Sequence, residues 1–414
     1  MRVPKAASCL GLCVLLCVAC AAPRGSPDAM PDIQAGWRPD ADSDEAGLWM
    51  KMDRAEAALR SSGRLITDPD LNNYVRNIAC KLAGPHCADI RVYIVEIPQF
   101  NAAMAPNGAM QVWSGLFLRV ENEAQLAQIL SHEIGHYVRR HSVQALRDVR
   151  TKAAFLQIFG LAVGADGAAA GVAAGVGAGA GQLAGSGAQA AAQLATVGSI
   201  YAFSRENERE ADEIALQSMV NAGYDPREAA KTWEALIKER DAAKEGSPLF
   251  FFTTHPNPEE RIATLKALAE KATRAGGSWV IGREEYRKAL SPVRAVFLWD
   301  ELRRREFARS QVVLDRLFAE GAEPAELFFF QAELYRLRGG VGDLEKARGA
   351  YERALELGQV PPEASRGLGL VLWKLGDKTS GRASFERYLA DRPQAEDREM
   401  IRMYIQQSER DEKR

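Results

Sequence analysis

The sequence predicts a mostly helical α+β domain with a small antiparallel sheet, followed by an all-α domain of helical repeats. Helical spacing of apolar residues dominates residues 47–84 and 122–138, and short runs rich in Val and Ile lie between them. In the last third of the chain a motif recurs after 34 residues. Because 414 residues exceed one ordinary core, two or three domains are expected, and 47% hydrophobic residues indicate folded protein.

The first twenty residues have the pattern of an export signal. Arg2 and Lys5 precede an apolar stretch that ends at Cys20 and is too short to span a bilayer. We predict that residues 1–19 are removed and that Cys20 is lipidated, because the end of the apolar stretch resembles a bacterial lipoprotein signal. Simple cleavage after the small-x-small run Ala19-Cys20-Ala21 is the alternative. Residues 20–46, rich in Pro, Asp, Gly and Ser, are predicted to form a flexible tether.

Besides Cys20, removal of the signal leaves only Cys80 and Cys87 in the body of the mature protein. A local disulfide between them is compatible with an exported protein, and two buried free thiols are the alternative.

The predicted sheet lies between residues 90 and 113. Its candidate strands are Ile90–Ile97, Phe100–Met104 and Met110–Trp113, with the turn Pro106-Asn107-Gly108 between the last two. The preceding segment Asp68-Pro69-Asp70 is a helix start signal.

The run HEIGH is predicted to lie within a helix, because Asn122 and Gln125 have the pattern of a capping box and apolar residues follow at helical spacing. His132 and His136 then project from one face and can bind one cation, with Glu133 beside them. A catalytic zinc needs a third protein ligand. His141 would lie about 140° around the same helix from His136, so it is not predicted to be that ligand.

A second acidic pair lies further along the chain. Glu208 and Asp212 are four residues apart on a predicted helix, so Glu208 could bind zinc while Asp212 orients a ligand histidine. A solvated acidic face is the alternative. Between the two helices, residues 153–204 are rich in Gly and Ala; since these residues contribute little transfer energy, we predict a packed hairpin or a mobile loop rather than a membrane span.

The last third of the chain contains a repeat. Gly342-Asp343 recurs as Gly376-Asp377, and the 34-residue offset is that of tetratricopeptide helical hairpins. Phe297–Glu320 is a candidate degenerate first copy. With two clear repeats, the array is expected to depend on the preceding domain for stability.

HEIGH, Ser204-Arg205 and the run from Glu208 to Asp212 together resemble the gluzincin peptidases of the CAAX-prenyl-protease and HtpX type. The resemblance covers about residues 47–268. The combination of an export signal with a helical repeat array is similar to the soluble periplasmic branch of this family. It implies a zincin-like metallopeptidase domain at 47–290, with a Gly/Ala-rich insertion at 153–204, before tetratricopeptide-like repeats at 291–414. The implied roles are one Zn²⁺ per chain bound by His132, His136 and Glu208, Glu133 as catalytic base, and Asp212 and Arg261 around the ligands.

Two further segments resemble family motifs. The run Thr254-His255-Pro256 implies that His255 lies near the metal, as a fourth ligand that closes the water position or as a donor to the tetrahedral intermediate. Taken alone, His255 could equally cap a turn. The second segment resembles the family's edge strand, on which substrate would add as a further strand. Its residues are Asn101, Ala102, Ala103, Met104 and Ala105. Ala103 stands where relatives of this branch often have an aromatic residue.

The motifs and the export signal predict a zinc-dependent endopeptidase of the periplasm, lipid-anchored to the outer membrane. The family resemblance implies its substrates, which are misfolded or stalled envelope and outer-membrane proteins. The helical repeats would hold unfolded substrates and envelope assembly proteins. A formal charge of −2 with interspersed acids and bases excludes nucleic acid as the main ligand, and membrane contact is expected through the N-terminal lipid only. The alternative is a chaperone or assembly factor with a self-inhibited metal site; an integral membrane prenyl-protein peptidase would need long apolar spans.

Overall fold

The computed structural model describes residues 30–148, 203–243, 251–252, 255–274, 276–319, 321 and 324–412. The export signal, Cys20 and all but the last two residues of the Gly/Ala-rich insertion lie outside these ranges. The strands are β1 (Arg91–Val95), β2 (Ala102–Met104) and β3 (Ala109–Trp113). The helices are α1 (Asp44–Arg60), α2 (Pro69–Ala83), α3 (Ser114–Phe117), α4 (Glu123–Val138), α5 (His141–Asp148), α6 (Arg205–Asn221), α7 (Lys231–Ala242), α8 (Pro258–Thr273), α9 (Arg283–Arg303), α10 (Phe307–Ala319), α11 (Pro324–Arg338), α12 (Asp343–Leu357), α13 (Glu363–Leu375), α14 (Lys378–Asp391) and α15 (Arg398–Glu412).

The sheet has the strand order β1-β3-β2 and is mixed. β2 pairs antiparallel with β3 across the predicted turn, whereas β1 pairs parallel with β3. The prediction of an antiparallel sheet was therefore wrong for β1. Turn residues define the β2–β3 hairpin, but the longer connection from β1 to β2 leaves open which edge of the hairpin receives β1. At the hairpin turn Gly108 has a φ of 88°, and a Cβ there would lie 2.1 Å from the Asp89 carbonyl oxygen, so only glycine fits.

Residues 32–43, predicted to belong to the flexible tether, pack against the domain. Ile33 is buried and its backbone N–H donates to the Val138 carbonyl at 2.9 Å. The Trp37 ring contacts the edge of the Trp49 ring, with centroids 6.1 Å apart. The prediction was wrong here because two apolar anchors are enough to order a segment whose average composition is polar.

Helix α2 begins where the sequence predicted. The Asp68 side chain accepts a hydrogen bond from the Leu71 N–H at 2.8 Å, and Pro69 occupies the first helical position. Its buried residues, which include Val75 and Ile78, face the helix that carries HEIGH. That helix, α4, is buried along nearly its whole length, so its polar side chains are held within the core.

The helical repeats form two hairpins, α11 with α12 and α13 with α14, after the pair α9 and α10. One hydrophobic core runs without interruption from Ile33 to Leu372. The predicted domain boundary at residue 290 lies inside α9, which belongs to both parts. Among the described helices, none combines the length and the hydropathy of a bilayer-spanning segment.

A buried ion cluster lies where the repeats meet the first domain. Arg119 is fully buried after α3 and donates to Glu239 on α7 at 2.8 Å and to Glu301 on α9 at 3.0 Å. Arg119 also donates to the Gly115 carbonyl at 3.0 Å. Because the two carboxylates come from separate elements and share one cation, the cluster ties α7 and α9 to α3 and the residues that follow it.

Candidate metal centre

Four buried side chains bring their donor atoms within 4.8 Å of one another: His132, His136, Glu208 and His255. Nε2 of His132 lies 3.0 Å from Nε2 of His136 and 3.4 Å from Nδ1 of His255. Each of the two α4 histidines lies 3.5 Å from an oxygen of Glu208. Tetrahedral zinc with N and O ligands places its donors about 3.3 Å apart, so the spacing and chemistry of this set fit Zn²⁺.

The donors meet because α4 and α6 pack closely. A Cβ at Gly135, inside HEIGH, would lie 3.3 Å from Cα of Ala211 on α6, so the glycine sets the separation of the two helices. Asn122 caps α4 by accepting from the Gln125 N–H at 2.9 Å, as predicted. Ser204 caps α6, which places Glu208 in its first turn.

His132 is supported by Asp212 and Arg261. Nδ1 of His132 lies 3.0 Å from Asp212, and Nε of Arg261 donates to Asp212 at 2.8 Å. Arg261 also donates to Glu208 at 2.7 Å and stacks on the Trp233 ring at 3.8 Å. Burial and Arg261 would lower the pKa of His132, but its hydrogen bonds to Asp212 and Glu208 raise it to about 9. The carboxylates therefore hold this imidazole firmly in place.

Glu133 is buried and faces the same space. Its Oε1 has no hydrogen-bond partner among the described residues and lies 3.6 Å from Nε2 of His255. Burial raises the pKa of Glu133, although His255 and His132 oppose the shift. An unpaired carboxylate oxygen in a buried site is suited to accept a proton.

His255 contacts the site through both ring nitrogens. Nδ1 lies 3.0 Å from Glu208, and Nε2 faces Glu133. The ring packs on Phe251, with centroids 4.5 Å apart. The ring nitrogens contact side chains of the site rather than backbone groups of the turn, which does not support the turn-capping alternative. Thr254 lies outside the described residues.

The contacts of His141 were not predicted from the sequence. The prediction placed His141 on the helix of His136, but α4 ends at Val138 and Arg140 has a φ of 58°. The chain therefore turns back, and His141 starts α5 with its Nδ1 2.8 Å from Nδ1 of His136. His141 is not among the four side chains whose donor atoms converge.

The predicted substrate strand coincides with β2 and its flanks. β2 is an edge strand of the sheet, and no described strand pairs with its second side. All five predicted residues are nonetheless buried, and Ala103 is 6% exposed. The edge is in place, but a peptide could pair along it only after a covering group moves.

A disulfide joins Cys80 at the end of α2 to Cys87 in the 3₁₀ turn Gly84–Asp89. His86 in the closed loop contacts the Tyr137 ring of α4 edge-on, with centroids 6.2 Å apart. The bridge thus supports the helix that carries two of the four donors.

Comparison with known proteins agrees with this arrangement. Residues 66–269 match the sequence profile described as Peptidase family M48, and residues 336–396 match that of a tetratricopeptide repeat.

Three similar proteins illustrate the range of relatives. The chain is 30% identical over 217 residues to the beta-barrel assembly-enhancing protease of Escherichia coli (strain K12), which covers 51% of this chain and 42% of that protein. It is 28% identical over 254 residues to the protein of that name from Yersinia pestis, covering 59% and 48%. The mitochondrial metalloendopeptidase OMA1 of Schizosaccharomyces pombe is 32% identical over 177 residues, covering 42% and 45%. The chain thus spans about half the length of these curated relatives.

Proposed function

Residues 66–269 belong to peptidase family M48, and from this premise we propose that the chain is a zinc-dependent endopeptidase of the bacterial periplasm. Its proposed substrates are misfolded or stalled envelope and outer-membrane proteins. The observation that carries the proposal is the buried donor set beside an unpaired carboxylate oxygen of Glu133.

In this function His132, His136 and Glu208 bind the zinc ion. When bound, zinc supplies a Lewis acid that polarises the scissile carbonyl and lowers the pKa of a water molecule to about 7. Glu133 accepts a proton at Oε1 and returns it to the leaving amine. Arg261 and Asp212 keep Glu208 and His132 in their binding orientation through the hydrogen bonds described above.

The substrate class is supported by the names of two relatives, both of which are called beta-barrel assembly-enhancing protease. The repeats α11 to α14 would dock unfolded substrates and assembly proteins, and lipidation at Cys20 would hold the enzyme at the outer membrane. The substrate chain would pair along Asn101–Ala105. A chaperone with a self-inhibited metal site is not favoured, because the family match lies on the metal-binding domain.

Metal removal tests the proposed activity. We expect one zinc per chain, and cleavage of an unfolded outer-membrane β-barrel protein that stops in a chelator and returns with added zinc. The measurement is metal content together with gel analysis of the cleaved protein, using the same β-barrel protein folded in detergent as the control. A preparation without zinc, or cleavage that persists in the chelator, would contradict the proposal.

His255 is the proposed fourth donor, because its Nδ1 lies within the donor set. A fourth protein ligand closes the position that water and substrate need. His255→Ala is therefore expected to raise cleavage of an unfolded substrate several-fold at unchanged zinc content.

The control is Glu270→Ala, an exposed position of α8 away from the donor group, which is expected to leave the cleavage rate unchanged. A fall in the rate constant of His255→Ala would instead identify His255 as a donor to the tetrahedral intermediate. An unchanged rate would reduce its role to packing on Phe251.

A further inference from the structure

A line of polar contacts runs behind His136, on the side of the ring away from the other donors. Nδ1 of His136 lies 2.8 Å from Nδ1 of His141, and Nε2 of His141 lies 3.1 Å from Oε2 of Glu210. The His141 side chain is 1% exposed, whereas that of Glu210 is 43% exposed. The line therefore leads from the metal site to the surface.

Hydrogen-bond chemistry assigns one direction to this line. Nε2 of His136 belongs to the donor group, so a neutral ring that binds metal carries its hydrogen on Nδ1. That N–H donates to Nδ1 of His141, which must then be the acceptor nitrogen. His141 consequently carries its own hydrogen on Nε2 and donates it to the carboxylate of Glu210. Each ring nitrogen of His141 thereby has a partner.

The surrounding residues hold the line in place. The turn at Arg140 brings His141 back towards α4, and Val143 N–H donates to the Arg140 carbonyl at 3.0 Å as α5 starts. Phe203 stacks on the ring of His136 with centroids 3.9 Å apart, which limits access of water to this contact. Nε of Arg139 lies 3.1 Å from Oε1 of Glu210 and so binds the carboxylate oxygen that His141 does not use.

We propose that His141 and Glu210 are positioning residues that fix the ring of His136 for metal binding, as Asp212 does for His132. The proposal rests on the proposed function, since His136 must bind a metal. Helix α6 then supplies a ligand, Glu208, together with the carboxylates behind both ligand histidines. Loss of such support costs about 10- to 100-fold in metal affinity in other metal sites.

The zinc dissociation constant, measured by competition with a chromophoric chelator, tests this role without reference to activity. His141→Phe keeps a ring of similar size but leaves the Nδ1 hydrogen of His136 without an acceptor. We expect it to weaken zinc binding by about 10- to 100-fold. A residue that only fills space would be replaced by Phe without loss of affinity.

Glu210 provides the second pair of variants and avoids a buried substitution. Glu210→Ala removes the acceptor for His141 and should weaken zinc binding, although less than His141→Phe, because water can reach this half-exposed site. Glu210→Gln retains an oxygen that accepts from His141 and should restore most of the affinity. Glu213→Gln, an exposed position of α6 outside this line of contacts, is the control and should bind zinc as the unaltered protein does.

The outcomes separate the two proposals. Unaltered protein that binds no zinc would overturn the proposed function. Stoichiometric zinc in the unaltered protein, with His141→Phe and Glu210→Ala binding equally tightly, would overturn the positioning role alone. If His141→Phe fails to fold, the contrast between Glu210→Ala and Glu210→Gln decides: equal affinities contradict the proposal.

Discussion

Glu133→Gln is expected to abolish peptide-bond cleavage while leaving the bound zinc and the fold unchanged. The amide has the shape of the carboxylate but cannot accept the proton that hydrolysis releases. Loss of a positioned general base costs about 10²- to 10⁴-fold in rate. Glu133 is not a member of the donor group, so zinc content should stay at one per chain.

The measurement is the rate of cleavage of an unfolded β-barrel protein, with zinc content and circular dichroism in parallel. Glu206→Gln, the same change at an exposed position of α6, is the matched control and should cleave normally. Residual cleavage within tenfold of the unaltered enzyme would contradict the assigned role of Glu133. Because an inactive enzyme that still binds retains its substrates, this variant isolated from the envelope should also carry the proteins on which it acts.

Arg119→Met is expected to produce the largest loss of stability, about 3–5 kcal/mol, which is typical when one partner of a buried ion cluster is removed. Glu239 and Glu301 would remain buried without their shared cation. Urea unfolding gives the free energy of unfolding directly. Arg353→Met, which breaks an exposed pair with Glu356, is the control and should cost less than about 1 kcal/mol.

Two further results would identify the cause of that loss. Adding Glu239→Gln to Arg119→Met removes a buried carboxylate that has lost Arg119 and should recover part of the stability, whereas Glu301 keeps Arg304 as a partner at 3.0 Å. If the single variant is no less stable than Arg353→Met, the ion cluster does not tie the two parts of the chain together. Unfolding in two separate transitions would argue against the shared core.

Glu301 in this cluster makes the fold sensitive to acid, whereas burial raises the pKa of Glu239. Burial alone would raise the pKa of Glu301, but Arg119 and Arg304 lower it from 4.5 to about 2. Because the folded-state pKa is below the unfolded one, this contribution to stability is complete above about pH 4.5 and is lost as the pH falls towards 2.

Helix α4 could be predicted because the residues that specify it lie close together in the sequence. Asn122 and Gln125 mark its start, and the spacing of His132 and His136 defines its metal-binding face. The pairing of Glu208 and Asp212 could be read from helical spacing, and the structure brings both to the site. The architecture of a mostly helical domain followed by tetratricopeptide repeats was confirmed.

What could not be predicted depends on non-local contacts. No residue pattern in the sequence indicates the positive φ at Arg140, so the turn that brings His141 back towards His136 could not be predicted. Which strand of the β2–β3 hairpin pairs with β1 depends on how the sheet packs in the domain. The burial of Ala103 on the edge strand likewise depends on elements distant in sequence. Ile33 and Trp37 are ordered by partners contributed from α4 and α1.

The continuous helix α9 limits how this protein can change over evolution. Exchange of the repeat array as a separate unit would need a junction near residue 290, which would cut this helix within its 21 residues. It would also separate Glu301 from Arg119 and Phe297 from its stacking partner Phe117. The repeats are therefore expected to be inherited together with this peptidase domain, and altered partner specificity to arise by substitutions on their surface.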